Sequence, residues 1–139
     1  MPLALVVDDD PDCCALIRAG LERRGFHVLV EHDGEAGLST AAALRPDLAV
    51  LDWMLPHRSG LELCRMVRQS AGGSRVGVLM VSAQQQEYHR EWAFAAGADD
   101  LVPKPFVAAR IADRAVQVLA DRAGEVRRQS RDGEHLDRL

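Results

Sequence analysis

The sequence predicts an α/β fold in which five helices cover a doubly wound sheet of five parallel strands. Two observations support this class. Short apolar runs with the length of buried strands alternate with longer segments whose apolar residues follow a helical period. The connections between them are short, so consecutive strands should run parallel and be joined by right-handed crossovers.

The first strand and the first helix are clearly delimited. LALVVD at residues 3–8 is a nearly continuous apolar run that ends in acid, as expected for a strand buried on both faces. Asp10 and Pro11 form a favourable helix start, and Gly25 forms a favourable helix end. The predicted apolar face of this helix consists of Cys13, Leu16, Ile17, Gly20 and Leu21.

The later elements continue the alternation of apolar runs with capped, periodic segments. We expect, in order, a strand at 27–31, an Ala-rich helix opened by Asp33 and Gly34, a strand at 48–52, a helix at about 60–70, a loop at 70–74, a strand at 75–82, a helix at about 86–96 that ends at Gly97, a strand at 100–103 and a final helix from near Val107.

The composition is that of an ordinary soluble domain, with 139 residues of which 47% are hydrophobic and 27% charged. A net charge of −4 favours neither nucleic acid nor an anionic membrane as a direct partner. No apolar run reaches the roughly 20 residues of a membrane span, and the N-terminus lacks the basic region of a signal peptide. We therefore expect a cytoplasmic protein.

The cysteines and histidines do not predict a zinc or redox site. The three cysteines show no CxxC spacing, and the five histidines include no pair four residues apart. Cys13 and Cys64 fit the apolar faces of helices, where a thiol packs as a small hydrophobic group.

Polar side chains end or follow four of the predicted strands, namely Asp8, Asp9, Asp52, Ser82 and Lys104. If the strand order is the flavodoxin-like 2-1-3-4-5, strands 1 and 3 flank the topological switch point, and these groups meet at the C-terminal edge of the sheet. Lys104 is the only lysine among 17 basic residues. This suggests a position that needs a compact point charge rather than the planar fork of arginine.

Three carboxylates at one place repel one another unless a cation lies between them. An open site of oxygen ligands suits a hard ion such as Mg²⁺. We expect Asp9 and Asp52 to bind the ion directly, with the backbone carbonyl of Met54 as a third ligand. Asp8 would act through water.

A divalent cation beside Asp52 would also attract a phosphoryl group. Phosphoryl transfer depends chiefly on in-line positioning and on neutralising the phosphoryl oxygens. Mg²⁺ would take one oxygen, Lys104 a second and the hydroxyl of Ser82 a third. Asp52 is then placed as the nucleophile, and the product is an aspartyl phosphate.

Five short motifs carry these residues: VVDD (6–9), LDWMLP (51–56), Gly60, VSA (81–83) and PKPF (103–106). Together they resemble the receiver domain of the response regulators of bacterial two-component signalling, over residues 3 to about 121. The resemblance implies Asp8 and Asp9 as the acidic pair, Asp52 as the phosphoacceptor, Ser82 as the switch hydroxyl and Lys104 as the phosphate-sensing lysine. It also implies a cis peptide bond between Lys104 and Pro105.

The function implied is that of a phosphoacceptor that assists its own phosphorylation and dephosphorylation, not that of a turnover enzyme. The phosphoryl group would come from the phosphohistidine of a histidine kinase or a phosphotransfer protein. The conformational change would then regulate an output domain or a partner protein.

One position departs from the family pattern. Three residues before the lysine, receivers usually carry an aromatic residue that changes rotamer on activation, and this chain has Leu101. Leu101 is either a tolerated core residue or a sign that the signal reaches the output surface by another route.

Three other functions would use the same residues differently. A haloacid-dehalogenase-like phosphatase needs a second Asp two residues after its nucleophile, and that position is Met54. A flavin-binding module needs a phosphate-cradling loop after strand 1, where the acids of this chain would repel phosphate. A degenerate receiver that only binds a partner would be expected to lack one of the site residues.

The domain is expected to span residues 1–121, with residues 122–139 as a helical extension or linker. A short a/d pattern supports the extension, formed by Ala112, Val116, Leu119, Ala123 and Val126. Either the end of the last helix frays in solution, or the helix runs on to about Arg128 and leads to an output domain outside this chain.

The partner surface implied by the resemblance lies within residues 86–122. Tyr88 and Trp92 are four residues apart on the predicted fourth helix. They either cover the core or contribute to a phosphorylation-dependent homodimer, since both residue types are enriched at interfaces.

Overall fold

The computed structural model describes residues 1–70, 72–83 and 87–137. These residues form a five-stranded parallel sheet in the order β2-β1-β3-β4-β5, which confirms the predicted fold class. The elements are β1 (Leu3–Val7), α1 (Pro11–Arg23), β2 (His27–Glu31), α2 (Gly34–Leu44), β3 (Leu48–Asp52), α3 (Gly60–Gln69), a short 3₁₀ turn (Gly73–Arg75), β4 (Gly77–Ser82), α4 (Glu87–Ala96), β5 (Asp100–Pro103) and α5 (Ala108–Asp137).

Three helices start where a capping side chain precedes them. Asp10, Asp33 and Ser59 each accept a hydrogen bond from a backbone N–H two or three residues further along, at the starts of α1, α2 and α3. Such a cap typically stabilises a helix by about 1 kcal/mol. The local sequence therefore determines where these helices begin.

The sheet separates two apolar layers. One layer lies under α2, α3 and α4 and contains Leu51, Leu63 and Met80, all fully buried. The other lies under α1 and α5 and contains Ile17 and Ile111. In the part of the chain that is described, no helix combines the length and the apolar character needed to cross a membrane.

The predicted apolar face of α1 is confirmed at Ile17, Gly20 and Leu21 and is wrong at Leu16, which is 52% exposed. Cys14 is buried, whereas Cys13 is only partly buried. At Gly20, α1 crosses α5 closely. A Cβ added to Gly20 would lie 2.6 Å from the backbone oxygen of Ala108.

The predicted start of β4 is also wrong, because the strand begins at Gly77 rather than at residue 75. The side chain of Arg68 on α3 donates hydrogen bonds to the carbonyl oxygens of Gly73 and Val76. These bonds tie the segment before the strand to α3, so it forms a 3₁₀ turn instead of extending the sheet.

The last helix is longer than the sequence predicts. The described backbone is helical from Ala108 through Asp137, beyond the expected end near Arg128. Residues 138 and 139 lie outside the described part of the chain, as does the side chain of Val126 in the predicted a/d pattern.

The first residue of the predicted extension contacts the body of the domain. Asp99, just before β5, accepts hydrogen bonds from the backbone N–H of Val78 (2.8 Å), from Arg68 (3.0 Å) and from Arg122 (2.8 Å). Arg122 also donates to the backbone oxygen of Ser74. Arg122 therefore bonds with residues on both sides of β4, although the predicted boundary of the domain is residue 121.

Truncation after Asp121 should therefore destabilise the domain relative to truncation after Ala123. The shorter protein lacks Arg122, so the half-buried carboxylate of Asp99 loses one of its charged donors. Hydrogen bonds to charged groups suggest a loss of roughly 1–2 kcal/mol in the free energy of unfolding. Urea denaturation of the two proteins measures it.

The substitution Arg122→Ala in the longer protein is the matched control and should reproduce the loss. Equal denaturation midpoints for the two truncated proteins would show instead that the domain ends at residue 121.

Candidate functional site

The first part of the site is a group of three carboxylates at one edge of the sheet. Asp8 follows β1 and Asp52 ends β3, and these neighbouring strands lie at the crossover where the chain switches direction through the sheet. One carboxylate oxygen from each of Asp8, Asp9 and Asp52 lies within 4.8 Å of the others. Asp8 and Asp52 are buried, whereas Asp9 is exposed and closes the group towards solvent.

A single ammonium group faces two of these carboxylates. The Nζ atom of Lys104 lies 3.5 Å from Oδ2 of Asp8 and 3.4 Å from Oδ1 of Asp52. Lys104 follows β5, and the bond to Pro105 is cis, as the resemblance implied. The chain thus brings its only lysine from the far strand to the carboxylates.

Ser82 enters the site from the strand between them. It ends β4 and is completely buried, and its backbone oxygen accepts a hydrogen bond from the N–H of Lys104 at 2.8 Å. The residue before it, Val81, is the register partner of Asp52 in the sheet. All five polar residues that the sequence singled out therefore reach the same edge.

The electrostatics of this edge do not favour three free carboxylates. Burial, and then the charge of Asp8, raise the pKa of Asp52 from 3.8 to about 6, although Lys104 and the N–H of Met54 oppose the shift. Burial alone would lower the pKa of Lys104, but the charges of Asp52 and Asp8 outweigh it and raise that pKa above its ordinary value. The site is therefore short of positive charge.

The donor set fits a hard divalent cation. The three acids supply oxygen ligands at a sheet edge where Asp9 is exposed, and a cation would relieve the repulsion that raises the pKa of Asp52. The backbone N–H of Met54 faces Asp52 and its side chain is 64% exposed. That the carbonyl of Met54 completes the ligand set remains a prediction.

Two thiols pack behind Asp8, a feature that the sequence did not predict. The Sγ atom of Cys14 donates to the backbone oxygen of Asp8 at 3.2 Å, and the thiol of Cys13 bonds with the Asp8 side chain. Burial and the contact with Asp8 raise the pKa of Cys13 to about 12. Both thiols thus act as neutral donors that hold Asp8. The one sequence signal for this contact is that Cys13 and Cys14 lie in the first turn of α1, just after the acids.

The loop after β3 is held close to the site by Gly60. The N–H of Gly60 donates to the backbone oxygen of Trp53 at 2.9 Å. A Cβ at this position would lie 2.0 Å from the backbone oxygen of Asp52, so any side chain here would displace the end of β3. Gly60 is required by this close approach of two backbones.

Comparison with known proteins finds one matching family. The family model described as response regulator receiver domain matches residues 4–116. The chain is 40% identical over 102 residues to the alkaline phosphatase synthesis transcriptional regulatory protein PhoP of Bacillus subtilis, covering 73% of this chain and 42% of PhoP. It is 41% identical over 106 residues to the phosphate regulon transcriptional regulatory protein PhoB of Rhizobium meliloti, covering 76% of this chain and 47% of PhoB.

The chain thus spans less than half the length of these curated relatives. Among solved structures, a response regulator from Chloroflexus aurantiacus has a TM-score of 0.80 at 31% identity, covering 86% of this chain and 98% of the other. The receiver domain of sensor histidine kinase PA1611 from Pseudomonas aeruginosa has a TM-score of 0.78 at 28% identity with the same coverage. That structure has a magnesium ion coordinated in the active-site cleft.

The raised pKa of Asp52 predicts that Asp52→Asn stabilises the metal-free protein. Folding raises this pKa from 3.8 to about 6, so the ionised carboxylate opposes folding at any pH above about 6. The shift corresponds to roughly 3 kcal/mol at most. At pH 7.5 with EDTA, Asp52→Asn should raise the free energy of unfolding by roughly 1–3 kcal/mol.

The gain should shrink as the pH falls from 6 towards 4, where the wild-type carboxylate becomes protonated. Urea denaturation over this range measures it, with Asp12→Asn, an exposed acid outside the group, as the control. If the Asp52→Asn protein is no more stable than wild type at pH 7.5, the ionised carboxylate of Asp52 does not destabilise the fold.

Proposed function

Since the chain belongs to the response regulator receiver domain family, we propose that Asp52 accepts a phosphoryl group from a phosphohistidine of a histidine kinase or phosphotransfer protein. Proteins of this family are signalling proteins rather than turnover enzymes. The observation that carries the proposal is the position of the Lys104 ammonium between the carboxylates of Asp8 and Asp52. A cation in that place is suited to a phosphoryl oxygen once Asp52 carries the group.

The chain's own groups account for most of the transfer. Asp52, with a pKa of about 6, is ionised at neutral pH, and one of its oxygens attacks the phosphorus as the bond to the imidazole nitrogen breaks. The ammonium of Lys104 then turns from the carboxylate to a phosphoryl oxygen. The hydroxyl of Ser82, at the end of β4, donates to another, which draws that strand end towards Asp52.

We propose Mg²⁺ as the cofactor, held by Asp9 and Asp52, by the backbone carbonyl of Met54, and by Asp8 through water. When bound, the ion supplies positive charge that neutralises a phosphoryl oxygen and lowers the repulsion among the acids. Support comes from the all-oxygen donor set and from the magnesium-bearing receiver of similar fold. The proposed site also assists hydrolysis of its own aspartyl phosphate. In that step water attacks the phosphorus as the bond to the Asp52 oxygen breaks.

We further propose that residues 1–121 form the receiver and that residues 122–139 link it to an output domain outside this chain. Arg122, the first residue of the link, is held by its contacts with the receiver. The continuous helix from Ala108 to Asp137 supports a rigid connection. The curated relatives are named as transcriptional regulatory proteins, and the match covers only 42% and 47% of their lengths. A net charge of −4 does not favour direct binding of nucleic acid by this chain.

A phosphorylation-dependent homodimer through residues 86–122 is part of the same proposal. Trp92 is 51% exposed on α4 and offers aromatic contact area at the surface of this helix. Tyr88 precedes Trp92 by four residues, but its side chain lies outside the described part of the chain.

Asp52→Asn should abolish phosphoryl uptake, because no other residue of the site offers the attacking oxygen in this geometry. Incubation with acetyl phosphate and Mg²⁺ should add one phosphoryl group per wild-type chain and none to the variant, as measured by mass spectrometry. Asp9→Asn should weaken Mg²⁺ binding by tenfold or more, about the effect of removing a charged ligand from a hard cation.

Asp12→Asn is the control and should behave as wild type in both measurements. Phosphorylation of the Asp52→Asn protein at the wild-type level would rule out this nucleophile. Release of many equivalents of phosphate per minute from wild type would instead indicate a phosphatase.

Lys104→Arg and Ser82→Ala should separate phosphorylation from the conformational change. The planar guanidinium of arginine does not reproduce the point charge of lysine between two carboxylates, and alanine removes the hydroxyl that draws β4 to the phosphate. Both variants should still take up the phosphoryl group but show smaller changes in amide hydrogen exchange on phosphorylation. A full wild-type response in both would show that neither residue senses the phosphate.

A further inference from the structure

Both tryptophans of the chain belong to one stack of three rings beside the site. The rings of Trp53 and His89 meet edge to face, with centroids 5.3 Å apart and an interplanar angle of 81°. His89 and Trp92 meet in the same way, at 5.6 Å and 85°. We call Trp53, His89 and Trp92 the aromatic stack.

The inner end of the stack is tied to the proposed phosphorylation site through the backbone. Trp53 directly follows Asp52, and its N–H donates to the carbonyl oxygen of Val81 at 2.9 Å. Val81 precedes Ser82, whose hydroxyl is proposed to move towards the phosphate. A shift of that strand end is therefore transmitted to the backbone of Trp53, whose ring is 8% exposed and held in the core.

The outer end of the stack reaches the surface on α4. His89 is buried at 6% exposure between the two indoles, whereas Trp92, one turn further along the helix, is 51% exposed. The three rings thus run from the residue next to Asp52 to the outer face of α4. Since edge-to-face contacts have a preferred geometry, a shift of the first ring changes the favoured position of the others.

The residue that usually changes rotamer in this family does not provide such a connection here. Leu101 on β5 is 7% exposed and packs in the same core layer as Trp53. Its role is therefore that of a core residue, and an aliphatic side chain in that place offers no ring to move between a buried and an exposed position.

We propose that the aromatic stack couples the phosphorylation state of Asp52 to the position of α4, with His89 as the positioning residue between the two indoles. The proposal rests on the proposed function of Asp52 and adds the route by which the site acts on the α4 surface. It requires two positions of α4, of which phosphorylation favours one through Trp53.

The experiment uses Trp53→Phe, which keeps a ring at the inner end and leaves Trp92 as the only fluorophore of its kind. Beryllofluoride with Mg²⁺ should change the emission of Trp92 in this background. Adding His89→Leu should abolish most of that change, because the middle ring is lost at similar volume. Adding His89→Phe instead should restore it, because an edge-to-face contact is possible again.

Phosphoryl uptake from acetyl phosphate is measured on each protein, so the two failures are distinguishable. If the wild-type protein takes up no phosphoryl group, the proposed function fails. If uptake is normal and His89→Leu keeps the emission change, the stack does not carry the signal. Loss of uptake in His89→Leu, or no recovery in His89→Phe, would also overturn the proposal, because His89 would then act on the site itself or by its imidazole chemistry.

A second measurement avoids any change in the core. Coupling between two sites is reciprocal, so removing the outer ring should alter the affinity of the site for beryllofluoride. In the otherwise wild-type protein, Trp92→Ala should shift that affinity by about fivefold or more, the lower end of typical coupling. Phe94→Ala, also exposed on α4 but outside the stack, is the matched control and should leave it unchanged. Equal affinities for the two variants would contradict the proposal.

Discussion

The mutual repulsion of Asp8 and Asp52, only partly balanced by Lys104, is the constraint on which the rest of this structure depends. Both acids are buried at the ends of neighbouring parallel strands, where the topology leaves no room to separate them. The ammonium of Lys104 lies 3.4–3.5 Å from both carboxylates, which is long for a hydrogen bond. One cation therefore balances the repulsion only in part, and the pKa of Asp52 stays raised.

The opposite edge of the sheet shows the reverse arrangement. There Asp99 is held by the backbone of Val78 and by two arginines, one from α3 and one from α5. Its carboxylate has more donors than Asp52 has, and the surrounding elements are locked together. The carboxylates repel one another at the site, whereas the carboxylate of Asp99 accepts hydrogen bonds from these three donors at the opposite edge. The conformation of the site can therefore change while the rest of the fold is kept.

This contrast also bears on how a change at Asp52 reaches the surface. The backbone hydrogen bond between Trp53 and Val81 joins the strand that ends at Asp52 to the strand that ends at Ser82. The next contacts outward are the rings of His89 and Trp92 on α4, a helix that exposes Trp92 and Phe94 to solvent. Motion is more easily accommodated in such an element than in the buried sheet.

The sequence by itself determined the fold class, the helix starts and the members of the site. Parallel strand pairing follows from the short connections, the helix starts follow from side chains that cap the backbone just after them, and the polar group at the sheet edge follows from residues at strand ends. Each of these depends on local chemistry or on topology, so it can be seen without coordinates. The site residues Asp8, Asp9, Asp52, Ser82 and Lys104 all belong to this group.

Only the tertiary structure decided that Cys14 and not Leu16 is buried on α1, where β4 begins, that Arg122 contacts Asp99, and that Trp53 and Trp92 meet through His89. Each of these depends on a contact between residues that are distant in sequence. Examples are Gly20 against Ala108, Arg68 against Val76, and Arg122 against Asp99. The hydrophobic periodicity of a segment predicts whether it is a helix or a strand. Which of its residues are buried and where it ends depend on how separate elements pack.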